Sequence, residues 1–334
     1  MQGLKILFSK GRCAMIKQLK IFTITILITF FYLNLPLLSS AQASELSLND
    51  VIRKVNSQLS LTTIIDQVNR QLSRSYTKNR SVLRVAYTRN PKLLSNSNEL
   101  VFILAGQSNM AGFGTTAKLP ASYRRTPSNV EFYFNGYPAK MSRFARFGPE
   151  ISFAHAISRH FPHKKIKLIK FAVGGTSLFA WDPSWRLSKA RLTRNASAGP
   201  LFKKLLQTIR THTTGTHLSA ILWMQGETDA RYPGAARSYM KNLSHFVRAL
   251  RRELKAPSLA FYIGEVDPPA TSFPYRDIVR KAQRRSSAYI KNTLLVSTKG
   301  LAKRGDHLHY NTEGQIALGL RFAQAYIQTH RYHH

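Results

Sequence analysis

The chain has 334 residues, 43% of them hydrophobic, enough for one core of ordinary α/β size. Lys and Arg number 50 against 15 Asp and Glu, a formal charge of +35 that favours contact with polyanions without choosing among nucleic acid, anionic lipid and acidic glycan. The single cysteine, Cys13, falls in an N-terminal leader, so the chain beyond it excludes a cysteine nucleophile, a thiolate metal site and a disulfide framework.

Residues 1–43 read as an export signal. Lys17 and Lys20 precede an apolar stretch from Ile21 to Leu38, and Ala41-Gln42-Ala43 forms an A-x-A cleavage pattern. Met15 offers a second, more ordinary start. The rival reading is an uncleaved membrane anchor, since the stretch approaches spanning length, although Asn34 and Pro36 interrupt it. Cleavage near Ala43 predicts an exported chain, periplasmic or secreted. It would remove Lys5, Lys10, Arg12, Lys17 and Lys20 and no acid, taking the charge from +35 to +30. The basic character therefore belongs to the body of the protein. Residues 44–98 are polar and basic, with Leu48, Val51, Ile52, Val55 and Leu59 at helical spacing. They predict a helical or linker extension without chemistry of its own.

From Glu99 the pattern changes. Leu100–Ala105, Ile166–Val173, Ala220–Met224, Ser258–Gly264 and Thr293–Ser297 are short apolar runs of strand length. Segments of helical spacing fall at about 149–161, 200–212, 234–254, 274–288 and 312–329, with Pro149 and Pro200 suited to first turns. Strand and helix alternate. That predicts a five-stranded parallel sheet with helices on both faces and right-handed crossovers.

Ligands of such sheets bind outside the carboxyl ends of the strands. The segments there are Gly106-Gln107-Ser108-Asn109-Met110, Val173-Gly174-Gly175-Thr176-Ser177-Leu178, Trp223-Met224-Gln225-Gly226-Glu227-Thr228-Asp229 and Gly305-Asp306-His307-Leu308-His309-Tyr310-Asn311. A serine hydroxyl needs a base to act as a nucleophile. His309 is a candidate base for Ser108, and Asp306 lies three residues before it, close enough to fix the imidazole tautomer. The bland alternative makes Asp306 a cap and His309 a surface histidine. Candidate oxyanion donors are the Ser108 N–H, the Gly174 or Gly175 N–H and the Gln225 side-chain amide. Taken singly, the glycine pair also reads as a tight turn, and Gln225 as a polar strand end.

Together the motifs GQSNM, GGTSL, WMQGETD and DHLHYN, in this order, resemble the sialate O-acetylesterase-like branch of the SGNH hydrolases. They are similar to carbohydrate esterase family 6, which includes acetylxylan esterases. The resemblance covers about residues 99–329. It implies a flavodoxin-like three-layer α/β/α sandwich, a domain spanning 99–334, deacetylation of sugar esters, and no metal or other cofactor. Carried over, Ser108 matches the nucleophile, His309 the base, Asp306 its partner and Gly174 the glycine donor. Gln225 stands where many SGNH enzymes have an asparagine.

Glu227 and Asp229 are expected to hold the Gln225 loop in place rather than to react. Gln107 and Asn109, which flank the serine, are assigned to the substrate, as is Trp181, which either stacks on a sugar ring or packs beneath a loop. Gly148-Pro149-Glu150 reads as a wall of the site. The expected partner is an O-acetylated carbohydrate, anionic in view of the charge; no nucleic-acid-binding motif is present. Two readings compete with a carbohydrate esterase. One is an esterase or acyltransferase acting on other short-chain esters. The other is a basic glycan- or polyanion-binding protein without activity.

Overall fold

In the computed structural model, residues 98–193, 198–213 and 217–330 are described (Ser142 by its backbone only). The expected leader, 1–43, and the expected extension, 44–98, lie outside them except for residue 98.

The strands are β1 Glu99–Gly106, β2 Gly114–Thr115, β3 Val130–Phe134, β4 Tyr137–Pro138, β5 Arg146–Phe147, β6 Lys165–Ala172, β7 Leu218–Met224, β8 Ala260–Gly264 and β9 Thr293–Val296. The helices are α1 Ser108–Ala111, α2 Ala121–Arg124, α3 Glu150–His160, α4 Leu187–Ala190, α5 Leu201–His212, α6 Pro233–Glu253, α7 Arg276–Tyr289 and α8 Thr312–His330. The five long helices lie within two residues of their expected bounds. Pro149 and Pro200 sit one position earlier than expected, as caps of α3 and α5.

The main sheet has seven strands, not five, in the order β4-β3-β6-β1-β7-β8-β9. Every neighbouring pair is parallel except β3–β4. The two additional strands were hidden by their composition. In Val130-Glu131-Phe132-Tyr133-Phe134, Val130 and Phe132 are buried while Glu131 is exposed. A search for continuous apolar runs finds strands covered on both faces and passes over such a peripheral one. A separate ladder joins β2 to β5.

Residue alternation sorts the helices into two layers. Phe102 on β1 meets Phe153 of α3 and Tyr326 of α8 edge-on, with ring centroids 4.9 and 4.7 Å apart. Ala105 is three residues further on and so faces the other way. Its register partner is Trp223 on β7, whose ring lies 4.7 Å from that of Phe246 on α6. Thus α3 and α8 cover one face, and α6 covers the other. Burying these rings from both sides supplies much of the apolar area that stabilises the domain.

Candidate active site

The strand order sets where a ligand can enter. From β1 the chain goes to one side for β3 and β6, then crosses to the other for β7, β8 and β9. The crevice of such a sheet opens at this reversal, beyond the carboxyl ends of β1, β6 and β7. The first three expected motifs leave those three strands, and the fourth follows β9. The turn after β1 is tight. Gly106 has φ +149°, and a Cβ there would run into the Met224 carbonyl of β7. Ser108 opens α1, so its N–H belongs to a first helical turn, which offers no intrahelical acceptor.

Here a continuous hydrogen-bonded relay forms. His309 Nε2 lies 3.1 Å from Ser108 Oγ, and His309 Nδ1 lies 2.7 Å from Asp306 Oδ2. The backbone amides of Leu308 and His309 donate to Asp306 Oδ1 at 3.0 and 2.9 Å. Partial burial disfavours the Asp306 carboxylate, but hydrogen bonds from the His309 ring and these two amides outweigh it, bringing the group down to about 2. The bend that allows this places His307 at φ +54°. Gly174 borders the serine, since a Cβ there would touch Ser108 Cβ at 3.8 Å. Gly175 has φ +68° and makes the turn.

Asn109 does something other than face substrate. Its Oδ1 accepts the Tyr310 N–H at 3.1 Å, and its Nδ2 donates to the Leu308 carbonyl at 3.3 Å and to Glu227 Oε1 at 2.7 Å. One buried side chain thus grips the residues on both sides of His309. Glu227 anchors it from the β7 loop, and burial pushes the Glu227 carboxyl up.

Gln225 is likewise committed elsewhere. It is fully buried; its Nε2 donates to the Thr176 carbonyl at 2.9 Å and to Asp229 Oδ2 at 2.6 Å, and its Oε1 accepts from Tyr239 at 3.1 Å. Both amide hydrogens are used, so the side chain has none left for an oxyanion. It ties the loop after β6 to the loop after β7, and Asp229 extends the tie by accepting the Leu178 N–H. Burial raises the Asp229 carboxyl to about 7, against the donors Gln225 and Leu178, with Glu227 adding repulsion.

A raised carboxyl binds its proton more tightly folded than unfolded. Its contribution to stability is therefore complete below about pH 4 and is lost as pH rises through 7. Asp229→Asn is expected to remove this dependence. Wild-type Tm should fall relative to the variant between pH 4 and pH 8. Parallel melting curves across that range would count against it.

Trp181 does not face a sugar. It is buried, donates Nε1 to Thr176 Oγ1 at 3.1 Å and meets Trp223 edge-on at 5.1 Å. Gln107 is also buried, and its Oε1 has no hydrogen-bond partner among the described residues. Glu150 forms a buried ion pair with Lys170 at 2.7 Å, and Lys170 also donates to the Ala111 carbonyl that ends α1. Burial lowers the Lys170 ammonium, with Glu150 opposing. Lys170 lies inside an apolar strand run, and nothing in the sequence alone marked it as the partner of Glu150. Phe113, three residues past the GQSNM motif, stacks on the His309 ring with centroids 3.9 Å apart.

Residues 98–328 match the family model described as "Carbohydrate esterase, sialic acid-specific acetylesterase". A probable carbohydrate esterase of Arabidopsis thaliana is 30% identical over 251 residues, which span 68% of this chain and 90% of that relative. The X-ray structure of the Arabidopsis protein from the same locus superposes with a TM-score of 0.59 at 27% identity, covering 69% of this chain and 98% of that one. NanS shares the fold at TM-score 0.53 and 16% identity, over 71% of this chain and 99% of its own. So does XAC1771, a carbohydrate acetylesterase of Xanthomonas citri, at TM-score 0.52 and 16% identity, over 68% and 56%. The chain thus shares its fold with these structures, and it belongs to the sialic acid-specific acetylesterase family of carbohydrate esterases.

Proposed function

We propose that the protein is an exported serine esterase that removes O-acetyl groups from carbohydrate, with Ser108, His309 and Asp306 as its catalytic residues. The hydrogen-bonded relay from Ser108 through His309 to Asp306 is the observation that carries this reading. Ser108 Oγ attacks the acetyl carbonyl carbon while His309 Nε2 takes the hydroxyl proton. Asp306 holds the imidazole by Nδ1 and stabilises the imidazolium. The developing oxyanion meets the Ser108 N–H, with Gly174 bordering the same space. His309 then protonates the sugar oxygen, and the carbon–oxygen bond to the sugar breaks. Water gives a proton to His309 as it attacks the acetyl-serine, and His309 returns that proton to Ser108 Oγ as the acyl bond breaks and acetate leaves. Gln225, Glu227, Asp229 and Asn109 hold the loops that carry these groups.

The leader read from residues 1–43 supports export. The names of the relatives support an acetylated sugar. The test is acetate release from O-acetylated sialic acid and acetylated xylan, paired with fluorophosphonate labelling read by peptide mass spectrometry. Acetate release and a label on the Ser108 peptide are expected. A label without release from either glycan favours another short-chain ester. A folded protein with neither is a binding protein.

A further inference from the structure

We infer that Arg146 and Arg304 form an anion subsite beside His309, where the acetylated sugar presents a carboxylate or phosphate group. This rests on the esterase reading and deepens it. The Phe113 ring that stacks on His309 also carries both guanidiniums, with Arg146 Cζ 4.8 Å and Arg304 Cζ 5.6 Å from its centroid. Both side chains are exposed, and among the described residues neither forms an ion pair.

An unpaired arginine means little in a chain of this charge. Convergence of two on one ring, itself in contact with the imidazole of the relay, is a local feature that excess charge does not produce. The nearby acids are spent otherwise. Asp306 serves His309, and Lys303, adjacent to Arg304, takes Asp267 at 3.0 Å. Both backbones are fixed. Arg146 lies opposite Thr115 in the β2–β5 ladder, and the Arg304 N–H donates to the His309 carbonyl at 2.8 Å. The ring limits the freedom of the guanidiniums, so less entropy is lost when they bind. A planar guanidinium matches carboxylate and phosphate oxygens with paired N–H donors. The subsite selects esters near an anionic group and orients them by it.

The test compares kcat/KM for O-acetylated methyl galacturonoside, its neutral methyl ester and an O-acetylated glucose 6-phosphate. The wild type is set beside Arg146→Gln/Arg304→Gln and beside Lys203→Gln/Lys281→Gln, which removes equal charge from exposed positions on α5 and α7. For the wild type, at least one anionic substrate should be preferred over the neutral one. The arginine pair should collapse that preference by about tenfold or more, as expected for charged hydrogen bonds, and the lysine pair should not. Preference for the uronate or the phosphate identifies which anion is read. A preference equally reduced by both pairs makes the effect one of net charge and overturns the subsite. So does a neutral ester that serves the wild type as well as the anionic ones. A wild type inactive on all three, and unlabelled by fluorophosphonate, overturns the esterase reading and the subsite with it.

Discussion

Ser108→Ala is expected to lower kcat for 4-nitrophenyl acetate by about 10³-fold or more while leaving the fold intact, because the methyl group cannot accept the acyl carbon. His309→Ala should cost as much, and the double variant little more than either single one, since nucleophile and base act as a unit. Circular dichroism and Tm would establish folding, with initial rates corrected for spontaneous hydrolysis. A Ser108→Ala protein retaining a tenth of the activity would remove the serine from the chemistry. Additive losses would mean that His309 acts apart from it. Since Asp306 is held at about 2, its protonation should not shape the rate profile above about pH 4.

The second large effect concerns a residue that touches neither acyl group nor proton. Asn109→Ala is expected to lower kcat by about 10²-fold with KM little changed, since misplacing a catalytic group by about 1 Å can cost that much. The substitution frees the Leu308 carbonyl and the Tyr310 amide on either side of His309, and it leaves Glu227 without its donor. Glu227 permits a graded check. Glu227→Gln keeps a carbonyl oxygen to accept the Asn109 amide and should stay within about fivefold of wild type, while Glu227→Ala should approach the Asn109→Ala level. If the glutamine were as damaging as the alanine, the carboxyl would be acting by its charge rather than by its hold on Asn109. If KM rose while kcat held, Asn109 would be a substrate ligand after all.

These residues show where sequence is informative. Five of the strands stand out as apolar runs, and chemistry gathers where four of them end, so Ser108, Gly174, Asp306 and His309 could be brought to one edge by strand order alone. β3 escaped because its exposed Glu131 breaks the run. The side chains of Asn109, Gln225 and Trp181 escaped for another reason. A polar or aromatic residue in or beside these motifs can point into the crevice or beneath it, and both orientations leave the same letters in the chain. Burial decided all three. Asn109 and Gln225 spend their amides tying neighbouring loops together, and Trp181 packs on Trp223. Phe113 could have been found by reading three residues past the motif. Arg146 could not, because only the β2–β5 ladder brings it across.

His309 stands 201 residues after Ser108, on the last turn before α8. α8 starts at Thr312, whose Oγ1 accepts the Thr115 N–H, and it lies against α3. Pairing such distant parts of a chain carries a loop-closure cost and slows folding. On the proposed mechanism, a chain made only as far as β9 carries Ser108 with no base within reach. In the esterase proposed above, the chemistry waits on the docking of α8, which follows His309 directly in the chain. Copies in which α8 has not docked are then expected to be catalytically silent.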